Sequence, residues 1–239
     1  MKYNYFSQYK QDKFLNEVFF NNKKAGFYVD IGAHDGISLS NSLFFERYNN
    51  WEGICVEPNP LVFNKLILNR KSINLNVCIG NENKKVKFTQ IQGYSEMLSG
   101  ITENYDERHV QRINNSIYAK GGKKTEIEVE MITLDNINGL KNKKIDFISI
   151  DTEGNEYDII KSFDFNLLEI KALVIENNFS NKNIANYLVD FGFELIYKLQ
   201  CDDVYINKKY YSLRLRGRLI IWKLKSLMKR IENKLKLIK

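Results

Sequence analysis

Residues 28–36 read YVDIGAHDG and combine the end of a predicted strand with a glycine-containing turn. Gly32 and Gly36 let a ligand lie against the backbone there. The G-x-G-x-x-G spacing that places a pyrophosphate on a helix N-terminus is absent. Asp30 and Asp35 would repel phosphate but suit a sulfonium cation and an amino group. The turn therefore favours S-adenosylmethionine as ligand, and an ordinary tight turn with surface acids is the alternative.

A single acid, Glu57 in ICVEPNP, follows the next predicted strand and stands twenty-five positions after Gly32. A carboxylate at this place can accept hydrogen bonds from both hydroxyls of a ribose that lies over the first turn. Ile79 and Gly80 end the third predicted strand, where an adenine ring would lie. An apolar strand end also needs no ligand to explain it.

Three acids cluster in FISIDTEGNEYDII, at the carboxyl end of another apolar run: Asp151, Glu153 and Glu156. Ligands of open α/β sheets bind at this edge, so we expect the cluster to face the first turn. Methyl transfer to an alcohol needs a base on the hydroxyl proton, and Asp151, Glu153 or His34 could serve. For Glu156, a first-turn acid that favours the helix dipole is the preferred interpretation.

The following strand ends in LVIENN, which places Glu176 and Asn177 at the same predicted edge. Either side chain could bind substrate hydroxyls, and a helix-capping role for Asn177 or Asn178 fits equally well. The second histidine, His109, falls in a polar stretch and is interpreted as a solvated loop residue.

The order of apolar runs and helical patterns predicts how these turns are brought together. Strand-like GFYVDIG, WEGICVE and NLNVCIG alternate with helix-like SNSLFFERYN and PLVFNKLILNR, which is a βαβαβ unit. A second half repeats the alternation from IDFISID onward and ends in a hairpin, FELIYKLQ and DVYIN. Residues 84–133 contain strands KVKFTQI and TEIEVEMI around a polar stretch, and read as an insertion near the active-site edge. The prediction is a mostly parallel α/β sheet in one domain, residues 1–207.

Length and composition indicate a single globular domain without a predicted metal site or membrane span. A chain of 239 residues with 44% hydrophobic content can build one domain with a substantial core. Neither a secretion signal nor a run of about 20 apolar residues is present, so a cytoplasmic protein is expected. Cys55, Cys78 and Cys201 form no C-x-x-C pair, and they are interpreted as reduced packing residues, with no metal site predicted.

Residues 208–239 hold twelve lysines or arginines and one acid, which gives this segment a net charge of +11. Since the whole chain has a net charge of +7, residues 1–207 have a net charge of about −4. Apolar residues recur there at steps of three or four, which predicts a basic amphipathic helix: Ile220, Leu224, Leu227, Ile231, Leu235 and Ile238. Residues 214–239 could lie on an anionic membrane, on the inner face, or pack on the body or a second subunit. Nucleic acid is disfavoured because Trp222 is the only aromatic residue in 214–239. The oligomeric state stays open.

Several separated motifs in order resemble the FkbM family of methyltransferases, over roughly positions 5 to 207: SQYKQDKFLNEVFF, FYVDIGAHDGISLSNSLFFE, WEGICVEPNP, SEMLSGI at 95–101, and IDFISIDTEGNEYDII. The resemblance implies a seven-stranded Rossmann-like fold, S-adenosylmethionine as donor and usually O-methylation. If the roles of the family's motif residues apply at the matching positions, five residues would line the cofactor site: Gly32, Asp35, Gly36, Glu57 and Asp151. Ser95 and Ser99 would close over it. The tail after Asn207 has no match in the family pattern.

The sequence after the fourth strand indicates which kind of atom accepts the methyl group. Enzymes that methylate base or amide nitrogens commonly present [DN]-P-P-[YF] there, and this sequence reads DTEG. The expectation is therefore O-methylation of a sugar hydroxyl, in surface polysaccharide or glycolipid synthesis. The alternatives are a non-sugar hydroxyl, a phosphate-type oxygen, or an inactive membrane-associated scaffold.

Overall fold

The computed structural model describes residues 3–140, 143–178 and 180–237, without the side chains of Arg230 and of residues 233–237. Its helices are α1 (Gln11–Phe14, continued by a π-helical turn over Leu15–Phe19), α2 (Leu43–Asn49), α3 (Pro60–Asn69), α4 (Glu107–Lys120), α5 (Glu156–Lys161), α6 (Lys182–Asp190) and α7 (Leu213–Leu237). Two of the apolar residues predicted for the amphipathic tail helix, Leu235 and Ile238, are not among the residues whose side chains the structure describes.

Eleven strands form two sheets in the described residues: β1 (Phe27–Ile31), β2 (Glu52–Val56), β3 (Ile73–Leu75), β4 (Cys78–Ile79), β5 (Lys84–Gln92), β6 (Gly100–Ile101), β7 (Lys123–Ile132), β8 (Lys144–Ile150), β9 (Glu169–Glu176), β10 (Phe193–Leu199) and β11 (Asp202–Asn207). The main sheet has the order β10-β11-β9-β8-β1-β2-β3. Strands β3, β2, β1, β8 and β9 are parallel, and β11 runs antiparallel to β9 and β10. The predicted Rossmann-like fold with its antiparallel hairpin is confirmed.

The main sheet is buried on both faces, as a parallel sheet requires. All five residues of β1 are buried, and so are six of the seven in β8. One face packs aliphatic side chains such as Ile145 and Leu173. The other face is rich in aromatic rings, among them Phe147 and Trp51, whose ring centroids lie 6.0 Å apart. These two apolar layers fix the strand ends, and hence the loops that follow them.

Residues 84–133 build most of a second sheet, with the order β4-β7-β5-β6, and carry α4. The predicted strand NLNVCIG is wrong as one element, because it divides into β3 in the main sheet and β4 in the second sheet. The Asn76 side chain donates to the carbonyl oxygens of Glu57 and Pro58 at 2.8 and 3.0 Å. These bonds hold the chain at the point where it leaves one sheet for the other.

The basic tail forms α7, and its first turns belong to the core of the main sheet. Leu215 and Leu219 are buried in the aromatic-rich cluster, and Trp222 packs against that cluster. Among the helices of the described residues, none combines the length and the hydropathy that crossing a membrane requires.

Candidate active site

A cavity of about 200 Å³ lies at the carboxyl edge of the main sheet. The loops after β1, β2, β8 and β9 form one side of it, and residues 96–101 next to the second sheet form the other. Eight residues predicted for the site line this cavity: Gly32, His34, Glu57, Ile79, Ser99, Asp151, Glu153 and Glu176. The topology therefore collects side chains that are separated by more than 140 positions in the sequence.

Gly32 joins the loop after β1 to the loops on either side of it. Its φ of +86° favours glycine, and a Cβ at this position would overlap the backbone carbonyl oxygen of Asp151. The backbone N–H groups of Gly32 and Ala33 both donate to the carbonyl oxygen of Val56 at 3.0 Å. The glycine is thus required by the close approach of three chain segments, which together shape the floor of the cavity.

Glu57 is a buried carboxylate whose position is fixed by its neighbours. It accepts the backbone N–H of His34 at 3.0 Å on one oxygen and that of Asn59 at 2.8 Å on the other. Burial raises the pKa of Glu57 to about 7, although these two donors lower it. Each oxygen keeps a lone pair for a further donor, so the side chain can receive two hydroxyl groups.

Asp151, Glu153 and Glu176 bring three acids to the same wall. Asp151 reaches solvent through the cavity, yet protein atoms surround its carboxyl group elsewhere. This burial raises the pKa of Asp151 well above its usual value, and the charges of Glu176 and Glu153 raise it further. Burial likewise raises the pKa of Glu176. The wall is therefore suited to hold protons or to bind a cation.

Glu153 and Glu156 have partners within the protein. The Arg112 guanidinium donates to Glu153 at 2.8 Å. Glu156 accepts three hydrogen bonds at 3.0 Å, from the backbone N–H groups of Thr152 and Gly154 and from the Thr152 hydroxyl. Glu156 thus closes the turn after β8, which agrees with its interpretation as a structural acid.

His34 lies in the glycine turn with its ring at the cavity. Its Nδ1 is 3.6 Å from a carboxylate oxygen of Asp35, and its Nε2 is 3.4 Å from one of Glu96. Neither nitrogen is hydrogen-bonded to any residue that the structure describes. Burial lowers the pKa of His34 even though both acids raise it, which favours the neutral ring. These two buried, unsatisfied nitrogens are polar groups available to a ligand.

Two acids and a glycine of the first turn shape the loop instead of lining the main cavity. Asp35 accepts the backbone N–H groups of Ile37 and Ser38 at 2.9 and 2.7 Å, which makes a local turn. Gly36 lies beneath α3, where a side chain would collide with that helix. Asp30 is buried and accepts the Ser42 hydroxyl, and it lines a smaller adjoining cavity.

Three further predicted residues are also placed away from the cavity lining. Gly80 packs against β7 in the second sheet, because β4 left the main sheet. Ser95 is hydrogen-bonded to Ser116 of α4. Asn177 donates to Asp203 at 2.9 Å and accepts the backbone N–H of Asn181 at 2.6 Å, so its polar atoms are used in a loop. In this structure all three lie outside the cavity lining, and their interpretation as ligand contacts stays a prediction.

Arg70 was not predicted, and it holds the loop that follows β1. The side chain is buried and donates to the carbonyl oxygen of Gly36 at 3.1 Å and to the Ser42 hydroxyl at 2.9 Å. It also donates to Glu46 at 2.9 Å and to the Tyr28 hydroxyl at 2.7 Å. The predicted helix PLVFNKLILNR is therefore followed, at its C-cap, by a cation around which the loop folds.

The wall of the cavity opposite the acids is formed by residues 96–101 and α4. Most of the contacts that hold this wall in place were not predicted from the sequence. Ser99 accepts the backbone N–H of Ile91 at 3.0 Å, which fastens the wall to β5. His109 is wrong as a solvated loop residue: it is buried on α4 and stacks on Tyr105, with ring centroids 4.3 Å apart. The Asp106 cap and the apolar spacing of Ile113 and Ile117 were the signals for this helix.

Comparisons with solved structures return methyltransferases at low identity. TrmK of M. capricolum, solved with S-adenosylhomocysteine, is 12% identical over 94% of this chain and 87% of that one, with a TM-score of 0.39. The human methyltransferase 10 domain containing protein is 11% identical over 84% and 80%, with a TM-score of 0.40. Precorrin-6y C5,15-methyltransferase of Geobacter metallireducens is 14% identical over 83% and 86%, with a TM-score of 0.37. No curated protein matches the chain.

The sequence profile of the methyltransferase FkbM domain matches residues 30–198. This range begins in β1 and ends in β10, so it includes every loop that brings an acid to the cavity. The predicted cofactor, S-adenosylmethionine, is confirmed with the family. The chain belongs to the FkbM family of S-adenosylmethionine-dependent methyltransferases.

Proposed function

We propose that this methyltransferase transfers its methyl group to the oxygen of a sugar hydroxyl in surface polysaccharide or glycolipid biosynthesis. The observation that carries the proposal is Asp151, an acid with a raised pKa that is accessible through the cavity at the end of β8. An alcohol oxygen must lose its proton to accept a methyl group, and a carboxylate with a raised pKa is a stronger base than an ordinary one.

The residues of the cavity fit the cofactor. S-adenosylmethionine, when bound, supplies a methyl group activated on a sulfonium cation. Glu57 would accept its ribose hydroxyls, because each carboxylate oxygen keeps a free lone pair. The acids Asp151 and Glu176 would favour its positive charges. The unsatisfied nitrogens of His34 offer further polar contacts on the same side of the cavity.

Among the three predicted bases, Asp151 is the one we propose. Burial raises the pKa of Glu153 too, but the Arg112 guanidinium lies 2.8 Å from one of its oxygens, lowers that pKa and occupies the oxygen. The Asp151 carboxylate accepts no hydrogen bond from the residues that the structure describes, so its oxygens are free to receive the proton of a hydroxyl. His34 would then contact the acceptor, and Glu176 would bind a neighbouring hydroxyl.

The identity of the acceptor is tested by finding the methylated product. Glycans and glycolipids are extracted from cells with and without this protein and compared by mass spectrometry. We expect a species that is lighter by one methylene group when the protein is absent. Restoring the wild-type gene should restore the methylated species. If its methyl group is found on nitrogen or on carbon, the proposal of O-methylation is rejected, and an unchanged glycan profile rejects the sugar.

Replacing Glu57 with Ala is expected to weaken S-adenosylmethionine binding by about 1 to 3 kcal/mol, since two ribose hydroxyls lose their acceptor. Isothermal titration calorimetry measures this change. Glu52→Ala removes an exposed acid from the other end of β2 and serves as the matched control. Unchanged affinity in a folded Glu57→Ala protein would remove Glu57 from the cofactor site.

Cofactor binding is expected to release protons near neutral pH. Burial raises the pKa of Glu57 to about 7 and that of Glu176 to about 8, so these two acids are partly protonated in the free protein at neutral pH. Bound positive charge favours the ionised carboxylates and lowers their pKa values, so affinity should rise with pH from about 6 to 8. Calorimetry in two buffers with different ionisation enthalpies counts the protons released. Heats that do not depend on the buffer would contradict this linkage.

A further inference from the structure

One face of α7 is fastened to the body of the protein. Leu215 and Leu219 are buried in the core, and the ring of Trp222 meets that of Phe14 edge-on with centroids 5.4 Å apart. The Arg218 guanidinium donates to the backbone carbonyl oxygen of Val18 at 2.7 Å. The orientation of the helix is therefore fixed by its first three turns.

The opposite face of α7 is apolar and exposed. At about 100° of rotation per residue, Ile220, Leu224, Leu227 and Ile231 fall on one stripe on the far side from Leu215 and Leu219. These four side chains are between 50% and 55% exposed. We call them the apolar stripe. A continuous row of apolar side chains on the outside of a helix marks a surface that binds something.

Cations border the apolar stripe on both sides. The helical rotation places Arg214 and Lys225 along one flank and Arg216 and Lys223 along the other. Over its whole length α7 contains nine lysines or arginines and one acid, Glu232. The occupant of this surface must therefore combine an apolar region with a high density of negative charge.

A groove of about 760 Å³ beside α7 extends the positive charge onto the body. It runs between α7, the N-terminal segment and the turn that joins β10 to β11. Lys10 in this groove is a neighbour of Lys13 and Lys229, and burial together with these cations lowers the pKa of Lys10. Like charges at close range favour an anionic partner.

We propose that α7 lies in the surface of an anionic phospholipid membrane, with the apolar stripe in the acyl-chain boundary and the flanking cations at the lipid phosphates. In this arrangement the apolar stripe is removed from water and the cations lie close to negative charge. A second copy of the chain would bring two strongly positive helices together, which is unfavourable. The cations also make α7 too costly to insert across the bilayer, so it lies in the plane of the surface.

The groove next to α7 adjoins the active-site cavity, because Gln8 lines both. An acceptor carried on a lipid could then reach the cavity along this groove. This consequence rests on the proposed function, whereas membrane binding itself does not.

Flotation of the full-length protein with vesicles tests the proposal. We expect binding to phosphatidylcholine vesicles that contain about 30% phosphatidylglycerol, and about tenfold weaker binding to phosphatidylcholine alone. Raising the salt concentration from about 0.05 to 0.5 M should weaken binding to the anionic vesicles by a similar factor. This salt series needs no substitution and no acceptor, so its result is independent of whether the protein methylates a sugar.

Substitutions locate the binding surface. The double variants Leu224→Glu/Leu227→Glu and Lys223→Glu/Lys225→Glu should each lose vesicle binding at least tenfold, with unchanged S-adenosylmethionine affinity. Leu68→Glu on α3 makes the same apolar-to-acid change at an 85% exposed position and should bind normally. Wild-type protein that ignores anionic vesicles at low salt overturns the proposal. So does a stripe variant that splits an oligomer in sedimentation without vesicles, because the apolar stripe then binds protein.

Discussion

Replacing Asp151 with Asn should lower methyl transfer by about 100-fold or more, because the amide cannot take the proton of the acceptor hydroxyl. The rate is measured as incorporation of labelled methyl groups into the extracted glycan. Cofactor affinity, measured separately by calorimetry, should fall much less than the rate. Asp158→Asn changes the same group at an exposed position of α5 and provides the matched control.

The pH dependence of Asp151→Asn separates a base from a cofactor ligand. A base acts in its ionised form, so the wild-type rate should rise with pH through the raised pKa of Asp151. That rise should disappear in the amide variant. A variant that transfers methyl groups at the normal rate would show that Asp151 is not the base, and Glu153→Gln and His34→Ala would be tested next.

Removing Arg70 should have the largest effect on stability. In Arg70→Met, Glu46 loses its buried cation and the oxygen of Gly36 loses a donor, which should lower the free energy of unfolding by about 3 to 5 kcal/mol. Breaking a buried pair costs this much because the remaining charge is left without compensation. Arg70→Lys keeps the charge but cannot donate to all these groups at once, so we expect it to recover only part of the loss.

Urea denaturation measures the effect of Arg70→Met as a lower midpoint with an unchanged slope. Arg47→Met on α2 is the control, since Arg47 is exposed and its change should stay within about 0.5 kcal/mol. Stability close to that of the wild type in Arg70→Met would mean that the loop after β1 is held by other contacts, and that the network around Arg70 is dispensable.

The main sheet could be predicted because its signal is local. Strands β1 and β8 are nearly continuous apolar runs. Asp30 is the last residue but one of β1, and Asp151 follows β8. Strand ends of a parallel sheet meet at one edge, so alternation of elements along the chain was enough to bring Gly32, Glu57 and Asp151 together. No contact between distant residues had to be known.

What could not be predicted depends on contacts between distant parts of the chain. Arg70 follows a run that reads as the exposed end of a helix, and only the folded loop over 36–42 shows that it is buried. Cys78 and Ile79 continue an apolar run, yet they pair with Met131 and Ile132 in the second sheet. His109 looked solvated because α4 is buried only through its packing against the distant residues Ile91 and Leu98.

The two sides of the cavity come from separate stretches of the chain, and this has a consequence for changing acceptor specificity. The acids belong to loops of the main sheet, whereas the opposite wall, residues 96–101, is braced by the segment that leads into α4, where the Tyr105 hydroxyl donates to the carbonyl oxygen of Leu98 at 2.7 Å. Exchanging residues 95–121 between relatives would therefore reshape the wall opposite the acids and leave Glu57, Asp151 and Glu176 in place. Such chimaeras would show whether this wall selects the acceptor that the proposed function assigns to the enzyme.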